Sequence, residues 1–298
     1  MTRHVTSTLA FSVAGVGIAC YSVMDAVMKG MSIQHGAYSA VLWRSIAGVI
    51  LMLPIFLITR RPWPGREALI LHFSRGAVAG ASVLLFFWGL VRVTMAQGVA
   101  LTFLAPLIAL YLAAAVLGET IRKAAIWGSV VAGFGVLAIA AGQAQSHASG
   151  EEVLGSIAIF IASILYAGSL ILLRRQAQVA DPLEVALFTS IVLAGLLLIG
   201  APWFSSVPAL VYWPGIMGAA MLGSFSAVLL AWAYRHAEAQ VLAPVEYTAF
   251  VWSAILGYWV FGEHVSFWTI GGAALIIAGC MVAIRGPAAP APQTEAAA

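Results

Sequence analysis

The chain has 298 residues, of which 62% are hydrophobic and only 8% charged, with a mean hydropathy of +1.01. A water-soluble domain needs about a quarter of its residues charged, so this composition excludes a soluble globular protein. The 14 Lys and Arg against 11 Asp and Glu leave a net charge of +3, too few and too dispersed for a phosphate-binding stripe, which excludes nucleic acid and leaves the lipid bilayer as the partner.

In chain order, residues 1–8 carry Arg3 and precede the first apolar run, Leu9–Met28. That run contains Gly17-Ile18-Ala19-Cys20 and superficially resembles a secretion signal. It outlasts the apolar stretch of about 7–15 residues found in such signals, so it is expected to stay as a first span. Further apolar windows follow at Ala37–Ile58, Phe73–Leu90, Gln97–Leu117 and Ala124–Ala141. After a polar break come Leu154–Leu173, Leu183–Ile199, Pro214–Tyr234, Val241–Val260 and Phe267–Ile284. At 1.5 Å per residue most of these approach the roughly 30 Å of hydrocarbon to be crossed. They are apolar on nearly every face, whereas barrel strands would alternate. The reading is an all-α polytopic membrane protein with ten transmembrane helices. The tail from Arg285, with Gly286-Pro287-Ala288-Ala289-Pro290-Ala291-Pro292, lacks bulky side chains and is expected to be disordered.

Positive charge sets the expected orientation. With the N-terminus inside, the inner loops hold Arg3, Arg60, Arg61, Arg66, Arg75, Arg122, Lys123, Arg174, Arg175, Arg235 and Arg285, while the outer side holds only Lys29 and Arg92. This bias places both termini in the cytoplasm.

The second half repeats the first. A shift of 144 lays Gly118-Glu119 on Gly262-Glu263, Gly128 on Gly272, Gly135 on Gly279, Gly142 on Gly286 and Trp88 on Trp232. At a shift of 145, Tyr21 and Lys29 fall on Tyr166 and Arg174. The expected organisation is therefore residues 1–8, a first repeat over 9–142, a loop over 143–153, a second repeat over 154–284 and a tail over 285–298. Five spans per repeat is an odd number, so the second copy enters the membrane from the opposite face. That inverted arrangement gives a transporter two oppositely facing states.

This layout resembles the drug/metabolite transporter superfamily, in particular its ten-helix EamA-type branch, over about residues 9 to 284. Ala96-Gln97-Gly98-Val99-Ala100, then Pro106, then Leu117-Gly118-Glu119 carry the likeness in the first repeat. The second repeat has Ala239-Gln240-Val241-Leu242-Ala243, with its proline early at Pro244 and Phe250 at the position matching Pro106. The resemblance implies export of a small-molecule substrate across a bacterial inner membrane, through a cavity lined by the first four helices of each repeat. Within the branch, the aromatic richness looks most like the aromatic amino-acid exporters. The expected activity is thus secondary export of aromatic or other apolar amino acids by alternating access, with another metabolite or drug as the alternative cargo.

Several in-span residues are candidates for the cavity. Arg44 can hold a substrate carboxylate in a bidentate contact or snorkel outward. Asp25 stands one turn before Lys29, a spacing at which the two can simply neutralise each other. Glu246 follows Pro244, where a free carbonyl and an interrupted helix suit a cavity-facing carboxylate that contacts an amine or carries a proton. Phe86, Tyr247 and Trp252 suit apolar contact with a flat substrate, and Ser82, Gln97 and Thr102 suit hydrogen bonds to it. Glu119 and Glu263 occupy equivalent places ahead of a helix start, which argues for accepting backbone N–H groups there. Gly76 and Gly80 have small-xxx-small spacing for close helix packing, with a dimerising face as the weaker reading, and Pro106 and Pro244 suit bending.

Other classes find less support. The six histidines sit at span ends or loops in this reading, and no nucleophile–base or metal-ligand set accompanies them, so an intramembrane lipid enzyme is disfavoured. A channel or scaffold has no need of an inverted repeat. No Gly-x4-Gly-Lys-Ser/Thr loop, cofactor motif or metal spacing is present. The energy source is left between the substrate's own gradient and proton antiport, and the oligomeric state is left open.

Overall fold

The computed structural model describes residues 7–59, 63–117, 121, 123–146, 149–176, 179–236 and 239–284. The first half comprises α1 (Ser7–His35), α2 (Ala37–Ile58), α3 (Arg66–Leu90), α4 (Met95–Thr102), α5 (Ala105–Leu117) and α6 (Lys123–Gln145). The second comprises α7 (Gly150–Gln176), α8 (Pro182–Phe204), α9 (Trp213–His236), α10 (Ala239–Glu246), α11 (Thr248–Phe261) and α12 (Phe267–Ile284), with one 3-10 turn at Leu210–Tyr212. Among the described residues every regular element is helical, as backbone groups inside lipid require.

Among the described residues, eight segments are long and apolar enough to cross a membrane, and Phe267–Ala283 is a shorter apolar helix. The segment expected as the ninth span is divided into helices of 8 and 14 residues. Helices also run past the apolar windows. α1 continues to His35 and α3 begins at Arg66, because a helix satisfies its own N–H and C=O groups through the polar interface. The start of α8 carries a helix signature in Asp181-Pro182, where the Asp181 carboxylate accepts from the N–H groups of Leu183 (2.9 Å) and Glu184 (3.1 Å).

The division in the second half has a counterpart in the first. α4 and α10 are related by 144 at both ends, since 95 + 144 = 239 and 102 + 144 = 246. The chain breaks after each, at Phe103 and at its equivalent Tyr247. Pro106 follows the first break, whereas Pro244 precedes the second, so proline position does not set the break. Local hydroxyls share it instead: Thr102 donates to the Val99 carbonyl at 2.7 Å and Thr248 to the Val245 carbonyl at 2.6 Å. Phe103 and Tyr247 pack edge to face, 5.2 Å between centroids at 87°. Two equivalent residues in mutual contact mark where an axis exchanging the halves must pass.

Helix packing obeys the same exchange. α1 packs along α9 and α7 along α3, while α2 pairs with α8 and α6 with α12. α1 also meets α11 as α7 meets α5. The glycines that index the repeat form the α6–α12 seam: Gly128 faces the Gly279 carbonyl and Gly135 the Gly272 carbonyl. Gly76 and Gly80 are packed within the chain, where an added Cβ would lie 2.6 Å from Val192 and 2.5 Å from Leu193 of α8.

The links after α1, α3, α6, α8 and α11 gather at one face. There His35 meets Tyr212 edge-on at 4.3 Å, and Arg92 meets Glu151 at 2.6 Å. Trp43 donates to the Ser206 carbonyl at 2.9 Å and Trp268 to Gln145 at 2.7 Å. The links after α2 and α7 lie toward the opposite face, where Trp63, Phe56 and Phe188 cluster.

Candidate functional site

Two chambers adjoin in the middle of the molecule, sharing Tyr21 of α1 and Arg44 of α2. The first, about 380 Å³, is walled by Tyr21, Met24 and Asp25 of α1, by Arg44, by Ser82, Val83, Phe86 and Phe87 of α3, by Thr102 of α4, and by Ala162, Ser163 and Tyr166 of α7. The second, about 490 Å³, continues toward the face of the α7–α8 link between Arg75 of α3 and residues of α8 and α9, including Thr189 and Ser224. No residue of α6 or α12 lines either chamber. Among the described residues, none of α10 or α11, the fourth span of the second repeat, lines them either, so the walls do not come from the first four spans of both repeats alike.

Of the sequence candidates, the first chamber unites Arg44, Ser82, Phe86 and Thr102. Two of these differ in role from the expectation. Ser82 already donates to the Ala162 carbonyl at 2.7 Å, and Thr102 to that of Val99, so each hydroxyl offers a substrate only its lone pairs. Gln97 is buried elsewhere, donating to Ser156 at 2.9 Å beside a separate polar pocket of about 320 Å³. Glu246 ends α10, within electrostatic reach of Tyr166, and Tyr247 occupies the break beside Phe103. Neither lines a chamber, and Trp252 is 40% exposed on α11. Pro106 stands in the first turn of α5 and Pro244 inside α10. Gly118 and Glu119 lie outside the described residues.

Asp25 does not neutralise Lys29. Lys29, 2% exposed, donates instead to the Val93 carbonyl at 2.7 Å and forms an ion pair with Glu263. The second oxygen of Glu263 accepts from the Met95 N–H at 2.7 Å, at the start of α4. Glu263 thus serves a helix start as expected, but that of the opposite repeat rather than of the helix which follows it. It reaches there because Gly262 ends α11 in a left-handed turn, φ 67°. Gly257 leaves room for the carboxylate, since a Cβ there would lie 2.6 Å from it. The cluster ties α1, α4 and α11 together on the face opposite to the second chamber.

Asp25 is therefore left to the first chamber, where it interacts electrostatically with Arg44. Arg44 contacts the Met24 sulfur at 3.8 Å through one terminal nitrogen, and its Nε is buried without a partner. A buried guanidinium with an unused donor costs free energy unless a ligand supplies an acceptor. Tyr21 and Tyr166 were not singled out as cavity residues, yet the repeat already aligned them. They are equivalent at a shift of 145 and face one chamber.

His72 also escaped the sequence reading, which placed it at a span end. α3 begins six residues earlier, and His72 is 1% exposed. Its Nε2 lies 2.7 Å from Glu184, its Nδ1 2.5 Å from Gln176, and Phe188 stacks on its ring at 4.6 Å. This cluster pins α3 to the ends of α7 and α8. Replacing His72 by Leu strands Glu184 and Gln176, so it should lower unfolding stability by about 1–3 kcal/mol. Glu184→Gln, which can still hydrogen-bond the imidazole, should cost less; thermal unfolding in detergent checks the order.

The sequence matches the family of EamA-like transporters twice, over residues 9–141 and 153–285. It is 26% identical to a pseudopaline exporter of Pseudomonas aeruginosa, over 89% of this chain and 92% of that one. It is 23% identical to a riboflavin transporter of Brucella anthropi, over 90% and 95% of the two chains. A solved crystal structure of a protein 19% identical shares the fold with a TM-score of 0.60, covering 94% of this chain and 98% of the other.

Proposed function

We infer the function from one premise: the chain belongs to the EamA-like transporter family. It is a membrane transporter, not an enzyme. Our reading is that it exports amino acids, with aromatic or apolar side chains accommodated by Phe86, Phe87, Tyr21 and Tyr166. The observation that carries this reading is a carboxylate and an under-used guanidinium, Asp25 and Arg44, facing one aromatic-walled chamber. A zwitterion matches that pair: its ammonium group suits Asp25 and its carboxylate suits Arg44, bidentate and charge-assisted.

The mechanism we propose is alternating access by ten transmembrane helices arranged as two inverted repeats, residues 9–142 and 154–284, with both termini cytoplasmic. The exchange of helix contacts between the halves supports this, because a pseudo-two-fold axis in the membrane plane makes the two facing states rotation-related counterparts of one another. The Lys29–Glu263–Met95 cluster favours the state in which the chambers are reached from the α7–α8 side. Arg66 and Arg175, at the ends of α3 and α7, put positive charge on that side, which suits the cytoplasm and loading for export.

Counterflow of labelled phenylalanine into proteoliposomes, with and without an imposed proton gradient, tests the reading and separates antiport from facilitated diffusion. Arg44→Gln and Asp25→Asn should each reduce apparent affinity about tenfold or more, as expected for a lost charge-assisted hydrogen bond. Wild-type-like affinity in both variants would remove the chamber from the transport path.

A further inference from the structure

We propose that the second chamber binds a second anionic group, so that the preferred cargo is an amino acid bearing an additional carboxylate. The proposal rests on the reading above, in which the first chamber holds the ammonium and α-carboxylate.

Two guanidinium groups, Arg44 and Arg75, line the second chamber. Each has a buried Nε with no hydrogen-bond partner. Arg75 is held by Thr189, whose hydroxyl accepts from its Nη1 at 2.8 Å and itself donates to the Val185 carbonyl at 2.6 Å. The hydroxyl is thus oriented by α8 and fixes the direction of the guanidinium. Among the described residues, no carboxylate comes within ion-pair distance of either arginine.

Like charges facing one cavity inside a membrane protein repel and are poorly solvated, and such residues mark substrate pathways. An anion between them relieves both costs at once. One α-carboxylate on Arg44 leaves Arg75 unused, whereas a second carboxylate placed past Tyr21 reaches the chamber that Arg75 lines. Asp25 opposes anions only in the first chamber, so the two chambers sort the charges of a single extended molecule.

The test compares two unlabelled competitors of labelled phenylalanine counterflow: phenylalanine itself and N-carboxymethyl-phenylalanine, which adds one carboxylate to the same ring and amine. In the wild type the dicarboxylate should compete about tenfold better. Arg75→Gln should abolish that ratio, and Arg75→Lys, which keeps the charge, should retain most of it. Thr189→Val, which leaves the arginine but frees its direction, should shrink the ratio partway. A ratio near one in the wild type, or one unchanged by Arg75→Gln, overturns the proposal, as does a variant that weakens both competitors alike. Phenylalanine counterflow without a dicarboxylate preference defeats this proposal alone; absence of counterflow with either compound defeats the amino-acid reading, and this proposal with it.

Discussion

Replacing Lys29 by Met should lower the stability of the detergent-solubilised protein by about 3–5 kcal/mol, as removal of one partner from a buried ion pair does. The charge left behind is the reason. Glu263 would keep its bond from the Met95 N–H but lose its only described cation. Glu263→Gln should also be costly, because its single amide oxygen replaces only one of the two carboxylate acceptors and the buried Lys29 is left without its counter-charge. The double replacement should recover much of the single-mutant loss, since no uncompensated charge remains; thermal unfolding of the four proteins forms a double-mutant cycle. Equal, additive losses would mean that the pair is not coupled in the folded protein.

The same cluster bears on transport. It joins α1 of one repeat to α11 of the other and to the first N–H of α4, at the face away from the second chamber. Under alternating access this face must open, and the Lys29–Glu263 and Met95–Glu263 contacts must separate together. The stable double variant should then spend more time open on that face. A cysteine placed at Thr94 should react faster with a polar thiol reagent than in the otherwise wild-type protein, and an unchanged rate would separate the cluster from the conformational cycle.

The membrane-bound, all-helical character was legible because lipid imposes one rule on every window: apolar side chains outside and self-satisfied backbone within. The repeat was legible because Gly118-Glu119 and Gly262-Glu263 are rare pairs in an otherwise monotonous composition. Interrupted helices were harder to read. Pro106 and Pro244 differ in offset, whereas the breaks at Phe103 and Tyr247 are equivalent, so the obvious breaker residues pointed away from the symmetry. In the cavity, Arg44 was legible as an in-span charge, left between a substrate contact and snorkelling outward, and it lies on the wall of both chambers. Asp25 was misread because i,i+4 spacing offered Lys29 as a partner, and nothing local shows that a carboxylate more than two hundred residues away takes it. His72 and Arg75 were hidden by the low hydropathy of the start of α3, which made a buried side chain and a half-buried one look like a loop edge.

The glycine seam between α6 and α12 carries the other large expected effect. At Gly135 an added Cβ would lie 2.5 Å from the Gly272 carbonyl oxygen, and at Gly272 one would lie 2.6 Å from the Gly135 carbonyl oxygen. These obstacles are backbone atoms of a neighbouring helix and cannot rotate away, so any side chain must push the helices apart. Gly272→Val should therefore cost more than the about 1–3 kcal/mol of ordinary overpacking and should sharply reduce the yield of folded protein. Its neighbour supplies the control. A Cβ on Gly271 meets nothing within 4 Å, so Gly271→Val introduces the same residue into the same helix without the collision. Fluorescence-detected size exclusion should show the loss for position 272 and near-normal yield for position 271. Since neither helix lines a chamber, the surviving fraction of Gly272→Val should bind substrate with wild-type affinity. A weakened affinity in that fraction would mean that the seam shapes the chambers through α4 and α5 rather than only holding the two halves together.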